Sequence, residues 1–190
     1  MNQKQIIQYL SKWFNLTEIL ELEEFGGEEI TISTSTQSTI DELTACINLV
    51  IDEIACDYFP LLTTQVVTAK DYQIPYSDLD KQILRVFAVK KYNSSIPYKS
   101  FPNHIKVDVN GEILLTYSYI PTTPKTIYDN LEVVGSPLTP RIVAYGVARE
   151  YCIFNSLYDQ AEHYNARFTS AMENAMTKRS AIKLPKRRWM

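Results

Sequence analysis

An asparagine–glycine pair, Asn110-Gly111, separates two strand-like runs, HIKVDV (104–109) and EILLTYSY (112–119). Both residues of such a pair tolerate positive φ, which the two central positions of a type I′ turn require. The pair predicts a β-hairpin and, with it, an antiparallel sheet in the middle of the chain. Upstream stretches extend that sheet. TTQVVTA (63–69) and ILRVFAVKKY (83–92) are rich in β-branched and aromatic residues and read as strands. DYQIPYSDLD (71–80) reads as an extended segment followed by a turn. The β element is thus expected over residues 63–120.

Helical periodicity flanks this region. Asn2 can cap a first helix with Ile6, Ile7, Leu10 and Trp13 on one side. A second short helix is expected from Thr17 to Phe25, ended by Gly26-Gly27, and then TISTSTQS as loop or short strand. In STIDELTACINLVIDEIACDYF (38–59), Thr39 and Glu42 have the spacing of a capping box. Ile40, Leu43, Ile47, Val50, Ile51, Ile54 and Tyr58 repeat at helical spacing, leaving Asp41, Glu42, Asp52 and Glu53 outside, and Pro60 stops the helix. IPTTPKTIYDNLEVVGSP (120–137) is loop-like, with at most one helical turn. Thr139-Pro140 is a cap followed by proline at the first helical position.

Two apolar stripes follow that cap. Ile142, Val143, Gly146, Val147, Tyr151 and Phe154 form one; Leu157, Ala161, Tyr164, Phe168 and Met172 form the other. Asn155-Ser156 is the expected break, because an unbroken helix of about 37 residues would span roughly 55 Å. The pattern predicts an α+β chain: a helical bundle core with an inserted small antiparallel β element and an extended C-terminal tail. Its segments are an acidic helical part (1–37), a main domain (38–181, with paired helices over 139–177) and the tail (182–190).

A chain of 190 residues fits one compact domain, and 45% hydrophobic content supplies a core that needs no staples. No run of about 18 apolar residues exists, so no membrane span is expected. The N-terminal MNQKQIIQYLSKWF has no continuous apolar stretch, so secretion is not expected either. Cys46, Cys56 and Cys152 lack CxxC spacing and read as buried, reduced thiols acting as small hydrophobes. The two histidines, His104 and His163, have no HExxH or CxxC company and read as surface or structural residues. There is no glycine-rich phosphate loop and no GxSxG elbow. The chain is therefore not expected to be an enzyme, nor to carry a cofactor or metal.

Charge is unevenly spread. Residues 178–190 hold six basic side chains and no acid, so with a net charge of −3 overall, residues 1–177 carry −9. TEILELEEFGGEE (17–29) holds six glutamates and no base. The basic end, IKLPKRRWM (182–190), interleaves Lys183, Lys186, Arg187 and Arg188 with Leu184, Pro185 and Trp189. Its composition suits docking: tryptophan and arginine dominate interface hot spots, and proline lowers the cost of holding a segment extended. Arginine beside tryptophan also suits phosphate and base contacts.

Several stretches together resemble head–tail adaptor (connector) proteins of short-tailed bacteriophages. INLVIDEIACDYFPLLTTQVVTAKDYQIPYSDLDKQILRVFAVKKY carries the helix, the aromatic-proline corner Tyr58-Phe59-Pro60, a strand, and Tyr72-Gln73-Ile74-Pro75. YGVAREYCIFNSLYDQAEHYNARFTSAMENAM resembles the paired C-terminal helices of that family, and IKLPKRRWM its basic-aromatic tails. The resemblance covers residues 38–190; the acidic N-terminal part matches nothing in it and points to a distant branch such as the crAss-like phages.

The resemblance implies a structural virion protein, made in the host cytoplasm and placed at the head–tail junction. Twelve copies would ring the portal protein, meet tail-side ring or nozzle proteins, and let genomic DNA pass without sequence-specific binding. Lys183, Leu184, Pro185, Lys186, Arg187, Arg188 and Trp189 would bind the portal. Two other readings stand beside it: a nucleic-acid-binding accessory protein using the basic tail, and another head-completion or tail-ring component.

Overall fold

The computed structural model describes residues 1–19, 33–92, 94–123, 130–133 and 138–177. The chain divides into two compact units, the division falling at Val50/Ile51. The first holds the N-terminal residues and the C-terminal helices; the second holds residues 51–123 and 131–133.

The first unit is helical. Helix α1 runs Gln3–Trp13, and the Asn2 side chain accepts a hydrogen bond from the Lys4 amide at 2.9 Å, the expected cap. Helix α2 runs Thr34–Glu53 and begins earlier than its sequence suggests. Ser33 caps it, its hydroxyl accepting from the Thr36 amide at 3.1 Å. Thr39 lies inside the helix and donates to the Ser35 carbonyl, so the Thr39/Glu42 capping box does not form. Hydroxyl-rich residues 33–39 lengthen the helix by a turn because Ser33 offers a cap further upstream. Ile40, Leu43, Ile47 and Val50 are buried as their spacing requires.

Helix α3 runs Pro140–Phe154, with Thr139 accepting from the Ile142 amide at 3.4 Å, and helix α4 runs Tyr158–Thr177. The break falls at Asn155–Leu157, where the Leu157 amide bonds the Cys152 carbonyl at 2.7 Å. Val143, Ala144, Val147, Ala161, Phe168 and Met172 are buried. Gly146 lets the helices approach: a Cβ there would lie 2.7 Å from Val50 and 3.0 Å from Phe168. Two expected stripe residues are misplaced. Phe154 is 67% exposed and Leu157 41% exposed, because each stripe runs out at the corner.

The second unit overturns the expected architecture of a helical bundle core carrying a small β insert. Among the described residues it holds seven strands: β1 (Leu62–Ala69), β2 (Gln73–Pro75), β3 (Ile83–Lys91), β4 (Ser94–Ser95), β5 (Tyr98–Ser100), β6 (His104–Val107) and β7 (Gly111–Tyr119). They form two antiparallel sheets, in the orders β1-β7-β3-β4 and β2-β6-β5. Val67 and Ala69 from β1, Ile74 from β2, Val86 and Val89 from β3, Ile105 and Val107 from β6, and Ile113, Leu115 and Tyr117 from β7 form one core cluster. Burying each large side chain contributes about 1.5–3 kcal/mol, so the sheets sustain a core of their own. The chain is α+β, with the β residues as a full unit.

The Asn110-Gly111 hairpin also does not form. β6 pairs with β2 and β5, whereas β7 pairs with β1 and β3, so the dipeptide links two sheets. Gly111 has φ +98°, but Asn110 is not in the positive-φ region that a type I′ turn demands of both. The tight turn lies instead at Asp71-Tyr72, with φ of 51° and 61°, closed by reciprocal Lys70–Gln73 hydrogen bonds of 3.0 and 2.9 Å. Asn110 serves that turn. Its Oδ1 accepts from the Tyr72 amide at 2.7 Å, and its carbonyl accepts from Lys91 Nζ at 2.6 Å. The physical reason is layering: Ile105 and Val107 must face Ile113, Leu115 and Tyr117 across a core, which a single flat hairpin cannot arrange.

Three segments with sequence expectations fall largely or wholly outside the described residues. They are the short helix over Thr17–Phe25 beyond residue 19, most of the loop-like stretch 120–137, and the extended tail at 182–190.

Candidate interaction surfaces

The seven residues expected to bind a portal, Lys183, Leu184, Pro185, Lys186, Arg187, Arg188 and Trp189, all lie outside the described residues. The surfaces that can be built from side chains upward lie elsewhere, one set in each unit.

In the first unit the α3–α4 corner carries Ile153, Phe154, Leu157 and Tyr158, all exposed. Helix α3 ends by turning Cys152 inward, fully buried, and so its next two residues outward. Asn155 closes the helix, its amide bonding the Tyr151 carbonyl at 3.1 Å, and Ser156 takes positive φ (60°). The corner therefore projects four large apolar side chains on a tightly bonded turn. Sequence periodicity missed them by assigning Phe154 and Leu157 to the core stripes. The available signal was the break itself: a helix–helix link is normally polar, yet apolar residues bracket Asn155-Ser156 on both sides.

The same unit holds an aromatic belt. Trp13 stacks on Tyr145 (centroids 5.1 Å, planes 11° apart) and on Tyr164 (5.7 Å, 20°). Phe14 packs against Tyr151 and Tyr164. Arg141 and Arg167 lie over Tyr145 at 5.6 and 5.9 Å, and Arg141 Nε donates to the Tyr145 hydroxyl at 2.8 Å. Ring faces that would stack on bases are thus turned toward one another, and the belt fastens α1 to the C-terminal helices. Burial pushes the hydroxyls of Tyr151 and Tyr164 up from the ordinary phenol range.

In the second unit the outer face of the β1-β7-β3 sheet is partly apolar. Leu62 and Val66 project from β1, 53% and 62% exposed, and Leu114, opposite Val66 on β7, is also exposed. Thr64 and Thr116 hydrogen-bond at 3.1 Å on the same face. The sequence held this in TTQVVTA, where two adjacent valines cannot both face one core.

Both histidines pack on aromatic rings, and two of the three thiols are buried. His104 stacks on Phe101 at 4.9 Å, and His163 meets Tyr164 edge-on at 6.1 Å. Cys46 and Cys152 are buried, and burial, with Glu150 and Glu42 nearby, pushes the Cys46 thiol up to about 11. Cys56 departs from the expectation of three buried thiols: it is exposed, on the π-helical turn Ile54–Tyr58. Its thiol is pushed up by partial burial and by Asp57 and Asp52. Among the described residues no three His, Cys, Asp or Glu side chains cluster in a way that could hold a metal ion, and no helix is long and apolar enough to cross a membrane. No protein-family model and no curated protein matches the chain.

Proposed function

We propose that the chain is a structural virion subunit of the head–tail adaptor kind, ringing the portal in multiple copies and gripping it with residues 183–189. The observation that carries this reading is the α3–α4 corner, where Ile153, Phe154, Leu157 and Tyr158 stand exposed on a well-bonded turn. Exposed apolar clusters on an ordered element mark surfaces that a neighbour covers. A second, separate apolar patch, Leu62, Val66 and Leu114, lies exposed on the other unit. Ring contacts are heterologous and need two different faces per subunit.

The order of elements supports the same reading. Helix α2 and its π turn end at a corner where Phe59 is buried, β1 follows, Ile74-Pro75 sits in β2, and paired helices close the described residues. The −9 charge of residues 1–177 suits a channel wall from which DNA slides without sticking. Each tail contact then adds to the others through the ring.

The test is deletion of residues 183–190 in the phage that encodes the chain, with particles counted by electron microscopy. The expected result is filled heads without tails; normal tailed particles would count against the reading. The nucleic-acid alternative rests on the basic tail, and it predicts tight DNA binding with a steep salt slope that the same deletion removes.

A further inference from the structure

The two open edges of the larger sheet are not alike. On β3 the register is broken by irregularities between Ile83 and Arg85 and between Val86 and Ala88. Arg85 is exposed there, the Tyr98 hydroxyl donates to the Val86 carbonyl at 3.0 Å, and β4 covers Lys90–Lys91. Bulges, charge and a covering strand are the devices by which sheets protect an edge. β1 has none of them. Its eight residues, LTTQVVTA, carry no charge and no proline, and they pair with β7 in unbroken register from Leu62↔Ser118 to Ala69↔Gly111. Among the described residues, no backbone group of Leu62–Ala69 bonds anything beyond β7.

We infer that, before any ring forms, the free chain pairs with a second copy of itself through β1, edge to edge and antiparallel about a twofold at Thr64. The sequence of the strand selects the occupant. Leu62, Thr64, Val66 and Thr68 share its outer face. An antiparallel pairing centred on Thr64 sets Leu62 opposite Val66 of the partner subunit, Val66 opposite Leu62 of the partner subunit, and threonine opposite threonine. These are favourable cross-strand combinations, and the apolar stripe Leu114–Val66 continues across the joint. A shift of two residues would set leucine against threonine and split the stripe. Pro60, with no N–H, ends the ladder on either side. An uncharged edge offers nothing for a charged peptide to read, whereas it is complementary to itself. The contact is isologous and cannot persist inside a cyclic ring, so it must open before Leu62 and Val66 meet a ring neighbour, and its test reads the free chain without the portal.

The test uses the purified full chain. Sedimentation should give twice the chain mass, and Val66→Lys, which sets a charge into the joint, should weaken pairing by roughly tenfold or more. Val66 is mostly exposed, so the circular dichroism of that variant should match the parent. As a second probe, Thr64→Cys in a Cys56→Ser background should cross-link to itself under mild oxidation, because residues opposite one another across a strand pair meet disulfide spacing. Thr68→Cys in the same background should not. A monomeric parent chain, pairing that survives Val66→Lys, or equal cross-linking at 64 and 68 would each overturn the inference.

Discussion

Gly146 has no space for a methyl group. Its absent Cβ would press on Val50 and Phe168, both set in packed helices. Gly146→Ala should therefore destabilise the chain by about 1–3 kcal/mol, read as a lower urea midpoint, despite alanine's better helix propensity. The thiols offer a second check. Cys46 and Cys152 are buried and Cys56 is exposed, so a thiol reagent at neutral pH should titrate one group in the native chain and three after unfolding. Three fast thiols would contradict the burial of Cys46 and Cys152 in the helical core. At this scale, what the sequence shows depends on range. The caps at Asn2 and Thr139 are legible because each partner lies two or three residues away. The role of Asn110 is not, because its partner, the Tyr72 amide, lies 38 residues upstream.

The elements follow the same logic. Helices α1, α3 and α4 are readable from period and caps, and β1 and β3 from their β-branched runs. Pairing is not readable, because strand partners are chosen by which faces must share a core. The tight turn thus fell to Asp71-Tyr72, which carries no glycine, and Asn110-Gly111 became a link between sheets. Tyr72 holds a left-handed conformation that costs most residues about 1–2 kcal/mol. Tyr72→Gly should relieve that strain and raise the thermal midpoint, while Gly111→Ala, at φ +98°, should lower it.

A connection also predicts pH behaviour. Lys81 Nζ lies 2.9 Å from Glu132 and 4.0 Å from the Tyr119 ring centroid. Burial pushes the Glu132 carboxyl up, but Lys81 and Thr122 together hold it below the ordinary carboxylate range. A depressed folded pKa gives stability that is present above the unfolded value and lost as pH falls toward the folded one. The melting temperature should therefore drop less steeply between about pH 5 and pH 3 in Glu132→Gln than in the parent. Equal slopes would mean the pair is fully screened by solvent.

At the scale of the whole molecule, the chain is two units, each with exposed apolar side chains, and its sequence ends in a basic and aromatic segment. The helical corner and the sheet face were hidden in the sequence because an exposed leucine or phenylalanine looks identical to a core one until the packing is known. The tail was the opposite case, conspicuous in sequence, with residues 183–189 outside the described structure. If Trp189 is the anchor, Trp189→Ala should weaken each portal contact by roughly 2–4 kcal/mol and leave the melting temperature unchanged. The most direct measurement is native mass spectrometry of the purified chain mixed with the portal ring from the same genome. The account predicts a complex holding twelve chains per portal that is lost when residues 182–190 are removed. No complex, or one that survives that removal, would contradict it.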